Sequence, residues 1–289
     1  MHCSRTAACL SWRPPNVPIT RIFSDLHFGD RASALKALPA LEPLFAGADR
    51  IVLNGDTLDT RPSPDPAATA ALREEVLGYF GGIGRPVQFI PGNHDPDISD
   101  RHSLELAEGQ VFVTHGDILF EDVVPWSQDA VMARQRVQAE IAQLPPEQRR
   151  DLTAQLGAVH RASATLPQRH QSEKHGLKYA LGFLSDTVWP PTRVLRVLRA
   201  WRESAPRAAR LIAEHRLRAQ FFVMGHTHHF GAKRGPGGLV VLNTGSFCAP
   251  GQVGVVDVSP ERIALRRIEK RGGALRLGAT IAEFPLAAN

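Results

Sequence analysis

Three short apolar runs, at residues 19–24, 50–54 and 86–90, alternate with segments of helical spacing at 33–45 and 66–80. Strands alternating with helices of this length predict βαβ units and a largely parallel sheet. Each run ends in a short polar motif: Ser24-Asp25-Leu26-His27, Gly55-Asp56-Thr57-Leu58-Asp59 and Gly92-Asn93-His94-Asp95. In such sheets ligands lie at the carboxyl ends of the strands, so the motifs fall where a ligand site belongs. Residues 104–107 and 111–114, joined by Glu108-Gly109-Gln110, read as a hairpin whose second strand delivers Thr114-His115-Gly116-Asp117. Strand-like runs return at 221–224, 239–242 and 253–258, and residues 263–268 pair with their predecessor across Ser259-Pro260-Glu261. The first of these ends in Gly225-His226-Thr227-His228. The tail beyond residue 271 carries no clear pattern, and no internal repeat is present.

The motifs share one chemistry. Asp25 and His27 are two apart on an extended segment, so both side chains can point to one side, and His226 and His228 repeat that spacing. Alone, each pair is equally a turn residue beside a surface histidine. Asp56 stands behind Gly55, which leaves room for its carboxylate to approach two cations; the alternative is an ordinary helix N-cap. Asn93 offers a neutral amide oxygen, which leaves His94 free to face a substrate. His229 is expected behind the ligands or on the surface. Oxygen and imidazole donors without cysteine suit two divalent ions, with Mn²⁺ favoured and Fe or Zn²⁺ as alternatives. Such a pair can hold the attacking and the leaving oxygen of a phosphoryl transfer.

Between His115 and His226 the texture changes. Residues 118–220 carry 16 Lys and Arg against 10 Asp and Glu, an excess of six, where the whole chain's formal charge is +5. Helices are expected near 128–144, 146–166, 191–203 and 206–217, with Pro145, Pro190 and Pro206 as boundaries. A basic insert favours an anionic partner, and it equally describes helices whose arginines are merely solvated. Of four tryptophans, Trp126, Trp189 and Trp201 lie here, too thin an aromatic pattern for a nucleic-acid face. No stable nucleic-acid partner is expected, and nothing in the sequence speaks to oligomeric state. Cys3, Cys9 and Cys248 form no paired framework, which points to a reducing compartment, the cytoplasm. No apolar run approaches the ~20 residues that span a bilayer, so at most a peripheral place at the inner membrane is expected. The apolar core of residues 1–18, at 7–10, falls short of the roughly 7–15 residues of a secretory segment. Those residues read as a disordered leader, followed by one domain over 19–289 with a helical insert at about 118–218.

Taken in order, Asp-x-His, Gly-Asp-x-x-Asp, Gly-Asn-His-Asp, His-Gly-Asp and Gly-His-x-His resemble the calcineurin-like metallophosphoesterase superfamily over residues 19 to about 258. The resemblance implies an α/β fold of two sheets flanked by helices, with the site at one rim and the helical insert as a cap. It implies that Asp25, His27 and His228 hold one metal, that Asn93, His115 and His226 hold the other, and that Asp56 bridges them. It also implies that His94 faces the substrate with Asp59 orienting it, and that a hydroxide held between the metals attacks phosphorus. Asn243-Thr244-Gly245-Ser246 resembles the family's closing loop, either a ligand seat or only a tight turn. The opening motif with Gly29, and the helical insert, look like the UDP-2,3-diacylglucosamine hydrolases, although His94 stands where many of those carry Arg. A phosphorylated small molecule or lipid-linked diphosphate is then the expected substrate. A nucleotide phosphodiesterase and a non-catalytic scaffold are the alternatives; a scaffold would have lost ligands, and here none is missing.

Overall fold

Successive side chains of a strand point to opposite faces, and β1 (Thr20–Phe23) uses both. In the computed structural model, which describes residues 18–168, 192–249 and 251–287, Ile22 enters a core between two sheets and Phe23 an outer layer under helices. β2 (Arg50–Asn54) repeats the division, with Val52 inside and Ile51 and Leu53 outside. β1 and β2 run parallel with each other and with β3 (Val87–Ile90).

On its other side β1 pairs antiparallel with β9 (Gly254–Val258). The hairpin partners β10 (Arg262–Arg271) and β11 (Ala274–Pro285) complete a sheet in the order β11-β10-β9-β1-β2-β3. The second sheet runs β4 (Leu104–Leu106), β5 (Val111–Val113), β6 (Phe221–Met224), β8 (Val240–Asn243), β7 (Gly231–Arg234). β5, β6 and β8 are parallel, and the edges β4 and β7 are antiparallel. Val111, Val113, Val223 and Leu242 of this sheet meet Ile22, Val52 and Val256 of the first. Outside, α1 (Glu42–Phe45) and α2 (Pro66–Gly81) cover the first sheet. The helix α5 (Thr192–Glu214) covers the second through Ala205, Ala208 and Ile212. The architecture is the expected pair of sheets flanked by helices. In the insert, α3 (Ala130–Gln143) and α4 (Leu152–Ala164) pack on each other through Val137, Val159 and Ala162.

Four local expectations change. Residues 33–45 do not form one helix: a 3₁₀ turn at Leu38–Leu41 and the single turn α1 replace it, with Pro39 and Pro43 each at a helix start. Proline has no N–H to continue an earlier turn. The apolar spacing still reported burial, because Leu35, Leu38, Leu41 and Leu44 are all in the core. Pro206 does not divide two helices; it lies inside α5. The carbonyl that a residue-206 amide would have bonded belongs to Arg202, and Lys233 Nζ donates to it at 3.0 Å. The edge strand β7 had no apolar signal, since three of its four residues are exposed. The unpatterned tail is the long strand β11. The expected leader to residue 17, Cys3, Cys9, Trp189 and Pro190 lie outside the described residues. Among the described residues no helix is long and apolar enough to cross a membrane.

Candidate metal centre

The loops after β1, β2, β3, β5 and β6 converge at one rim. Asp25, His27, Asp56, His226 and His228 all have left-handed backbone, with φ of 51°, 44°, 53°, 62° and 54°. Left-handed backbone costs a non-glycine residue roughly 1–2 kcal/mol. Such residues cluster where surrounding structure forces side chains into a functional arrangement. Here the force is visible. Asp25 N donates to Gly55 O at 3.0 Å, His27 N to Asp56 O at 2.9 Å and Phe28 N to Thr57 O at 2.8 Å, lacing the β1 loop to the β2 loop. Asp95 receives the amides of Asp56, Gly92 and Thr57 at 2.8, 2.8 and 2.7 Å. His226 N reaches both oxygens of Asp25 at 3.1 Å. Gly55, at φ 82°, lies so close to the His115 ring that a Cβ there would enter it.

The candidate side chains come together at this rim. His228 Nε2 is 3.1 Å from Asp25 Oδ1 and 3.2 Å from His27 Nε2. Asp56 Oδ2 lies 3.8 Å from His27 Nε2 and 3.3 Å from His115 Nε2, so its carboxylate touches both halves of the cluster. His226 Nδ1 is 2.9 Å from Asn93 Oδ1. Among the described residues three sets of acidic and histidine side chains have donor atoms close enough to share an ion: Asp25 with His27 and His228, Asp25 with Asp56 and His115, and His27 with Asp56 and His94. The last set brings His94 nearer to the ligands than a purely substrate-facing residue requires.

Hydrogen bonding says what these groups lack. His226 Nε2 is 2.8 Å from Val123 O, and His115 Nδ1 is 3.0 Å from Asn54 O. A carbonyl only accepts, so both nitrogens carry the proton, and in the neutral rings the opposite nitrogens present lone pairs. The lone pair of His226 Nδ1 then faces an amide oxygen. His115 Nε2 lies 3.3 Å from the Asp56 carboxylate, which against burial raises the ring well above its ordinary value, so a proton sits between the two. Acceptors aimed at acceptors in a buried site are costly unless a positive charge stands between them. A divalent cation fits the gap at His226 and can take the place of the His115 proton, and it is what the donor set suits.

The ionisation preferences agree. Burial raises Asp56, but the neighbouring imidazoles, His115 first, pull it well below the usual carboxylate range. Asp25 is likewise lowered, by His228 against its burial. Burial lowers His27 and His226 to about 4, His27 against the pull of Asp56 and His226 with help from His115. Burial also acts to lower His115, but Asp56 overrides it and raises the ring well above its ordinary value. Ionised Asp25 and Asp56 beside the neutral His27 and His226 form a pocket that asks for positive charge, part of which the protonated His115 supplies.

His94 lies over this cluster, its side chain 28% exposed against 0% for His115. Its Nδ1 is 3.0 Å from Asp59 Oδ2, as expected, but Arg61 joins the pair. Arg61 Nε and Nη2 donate to Asp59 at 3.0 and 2.7 Å, and Nη2 is 2.9 Å from His94 Nδ1. Arg61 carried no motif and was missed. Asp95 was inside a quoted motif but had no assigned part; burial and the charge of Asp56 push it up to about 6. Val123 was also missed: it is a β-branched residue at φ 58°, buried, and it offers His226 only a carbonyl, which every residue has. Phe120 and Trp126 pack on the His226 ring at 5.7 and 5.4 Å between centroids. The insert therefore forms a wall of the site. His229 turns away onto Trp201. Asn243 is a brace: its amide donates to Gly225 O at 2.7 Å and Thr227 Oγ1 at 2.9 Å, and its oxygen accepts from Gly245 N.

A family model described as calcineurin-like phosphoesterase matches residues 20–230. Vacuolar protein sorting 29 from Cryptosporidium parvum is 12% identical, with 93% of this chain and 99% of that chain covered, at a TM-score of 0.42. A dimetal phosphatase from Danio rerio is 13% identical, with 92% and 98% covered, at a TM-score of 0.42. A cold-active protein-tyrosine phosphatase from a psychrophilic Shewanella is 12% identical, with 92% and 81% covered, at a TM-score of 0.38. Likeness this distant carries nothing about activity. A comparison with curated proteins finds no match.

Proposed function

The chain belongs to the calcineurin-like phosphoesterase family, and from that membership we propose that it is a dimetal-dependent hydrolase of a phosphate ester or diphosphate. The observation that carries the reading is the convergence of Asp25, His27, Asp56, His115 and His228, whose donor atoms lie within 4.8 Å of one another in overlapping sets. Asp25, His27 and His228 would hold one cation, Asn93, His115 and His226 the other, with Asp56 shared. Bound there, divalent cations supply an acidified water and neutralise charge on the phosphoryl oxygens. The chain's own residues do the rest. His94, the exposed edge of the cluster, would donate hydrogen bonds to the phosphoryl group or the leaving oxygen. Asp59 and Arg61 fix its ring by holding Nδ1, so the other nitrogen is the one turned to substrate.

The finer reading is a large anionic substrate of the UDP-2,3-diacylglucosamine kind. Its support is the basic insert beside the site, where Arg134, Arg196, Arg199 and Arg207 line a cavity of about 460 Å³ behind Phe120. Arg134 is paired with Glu121 and Asp122, and Arg199 and Arg207 with Glu203.

The test strips the purified protein with a chelator and restores Mn²⁺, Zn²⁺ or Fe²⁺. Bis-p-nitrophenyl phosphate, p-nitrophenyl phosphate, a nucleotide and UDP-diacylglucosamine are then assayed. Two ions per chain and metal-dependent turnover are expected. Undiminished turnover in chelator would overturn the metal reading. Two tightly held ions with no turnover on any ester would overturn the hydrolase and leave a metal-bearing scaffold.

A further inference from the structure

Gln168 stands four residues beyond the end of α4, and its side chain is buried at 7% exposure. Its Nε2 donates to Asp59 O at 2.8 Å and to Arg61 O at 2.9 Å, while its backbone N donates to Pro62 O at 2.9 Å. Carbonyls cannot donate, so the amide nitrogen must face them and the side-chain orientation is fixed. Three hydrogen bonds thus tie the insert, just past α4, to the segment that carries Asp59 and Arg61. That segment lies in neither helix nor strand, so it has no ladder of its own to hold it. Thr60 N donates to His94 O at 2.9 Å, and Thr60 Oγ1 donates to Asp97 Oδ1. Gln168 grips one side of it, and His94 sits on the other.

The anchor itself is firm. Arg136 of α3 donates to Thr165 O and Oγ1, and Thr165 Oγ1 closes on Ala162 O at 2.7 Å. One face of α4 meets the other side of the metal centre. There the buried His160 lies with Nε2 3.3 Å from Asp117 Oδ2, two residues past His115. The insert therefore grips both loops that bound the site.

We propose that Gln168 is a positioning residue, which holds the Asp59–Arg61 segment so that the seating of the insert sets the aim of His94. This rests on the reading of His94 as the substrate-facing histidine. Displacement of Gln168 shifts the two carbonyls, then the Asp59 and Arg61 side chains, then His94 Nδ1. None of the seven ligands is in that chain of contacts, so metal content stays.

The test uses the full, Mn²⁺-loaded protein with bis-p-nitrophenyl phosphate. Gln168→Met keeps the volume and removes both donors. It is expected to lower kcat by on the order of 10- to 10²-fold, the cost of a misplaced catalytic group, with KM and metal content near the parent's. In a His94→Asn background the same change should move kcat by less than about twofold, because residues acting as one unit are not additive. Equal losses in the two backgrounds, or an unchanged kcat in the first, overturn the proposal. Gln168→Asn, which keeps the donors but draws them back by one methylene, serves if the Met variant does not fold, and an intermediate kcat is expected. If the parent hydrolyses no ester, the proposed function fails, and the tie is read without turnover. The imidazole ¹⁵N–¹H signal of His94, assigned by its loss in His94→Asn, should shift in Gln168→Met. An unmoved signal overturns the proposal on its own.

Discussion

Asp56 is the residue on which most of the centre depends. Its Oδ2 lies 3.8 Å from His27 Nε2 and 3.3 Å from His115 Nε2, and its other oxygen accepts the His94 backbone amide at 2.8 Å. Asp56→Asn keeps the shape and removes the charge, so both ions should be lost and activity abolished while far-ultraviolet circular dichroism is retained. Elemental analysis reads the outcome, and retention of two ions defeats the bridging assignment. His94→Asn separates two roles that the geometry leaves adjacent. If His94 acts on substrate, kcat should fall by ~10²–10⁴ with both metals held. Loss of one ion would make it a ligand with His27 and Asp56. Acid should act on the histidines. With folded values near 4 against an unfolded value near 6.5, His27, His102 and His226 bind protons more readily unfolded. Their stabilisation is present above about 6.5 and lost as pH falls toward 4. His115, raised, adds no slope in that window because both states are already protonated. Asp95, near 6, opposes with one proton against three. Net stability of the metal-free protein should therefore fall between about pH 6.5 and 4, as thermal unfolding across that range will show. The candidate ligands were legible because each proposed part needs a particular side chain. Val123 was not, because what it contributes is backbone.

At the scale of elements, the sequence read burial better than shape. Leu35, Leu38, Leu41 and Leu44 kept a helical spacing and all reached the core, yet two prolines broke the helix they suggested. Pro206 gave the opposite error, since Lys233 from a distant strand satisfies the carbonyl it frees, and no local pattern announces a donor 27 residues away. α2 forms where its spacing placed it, and the structure adds the Asp65 side chain, which accepts from Ala68 N at 3.0 Å and caps its start. It anchors through Phe80, whose ring meets Phe45 at 6.3 Å and Phe89 at 5.8 Å. Phe80→Ala should cost about 3–5 kcal/mol in urea unfolding, the usual range for a buried phenylalanine. Because α2 lies on the outer face, metal content and kcat of the surviving folded fraction should be unchanged. A parallel loss of metal would mean that the outer layer also holds the ligand loops.

Across the whole molecule, the order of motifs identified the site, but the part played by the insert was hidden. A basic, helical segment between the last two ligand motifs suggests a detachable cover that selects substrate. The contacts contradict detachment. Val123 O accepts from His226 Nε2, Trp201 Nε1 donates to Thr227 O at 2.9 Å, His160 meets Asp117, and Gln168 holds Asp59 and Arg61. Each joins residues between 26 and 109 positions apart, a separation no local pattern encodes. Replacement of residues 123–216 by a short turn removes all four. His226 then loses the carbonyl that fixes its tautomer, and a ligand imidazole without such a partner binds its metal typically 10–100-fold more weakly. The deletion should therefore bind fewer than two ions and lose activity on a small activated ester as well as on any large diphosphate. A removable cover predicts otherwise, because a small ester uses no remote contacts and should be cleaved as before. The comparison of kcat/KM on both substrates, in a sample shown to be folded by its near-ultraviolet spectrum, decides between them. Selective loss on the large substrate, with two ions still bound, would return the insert to a specificity role alone.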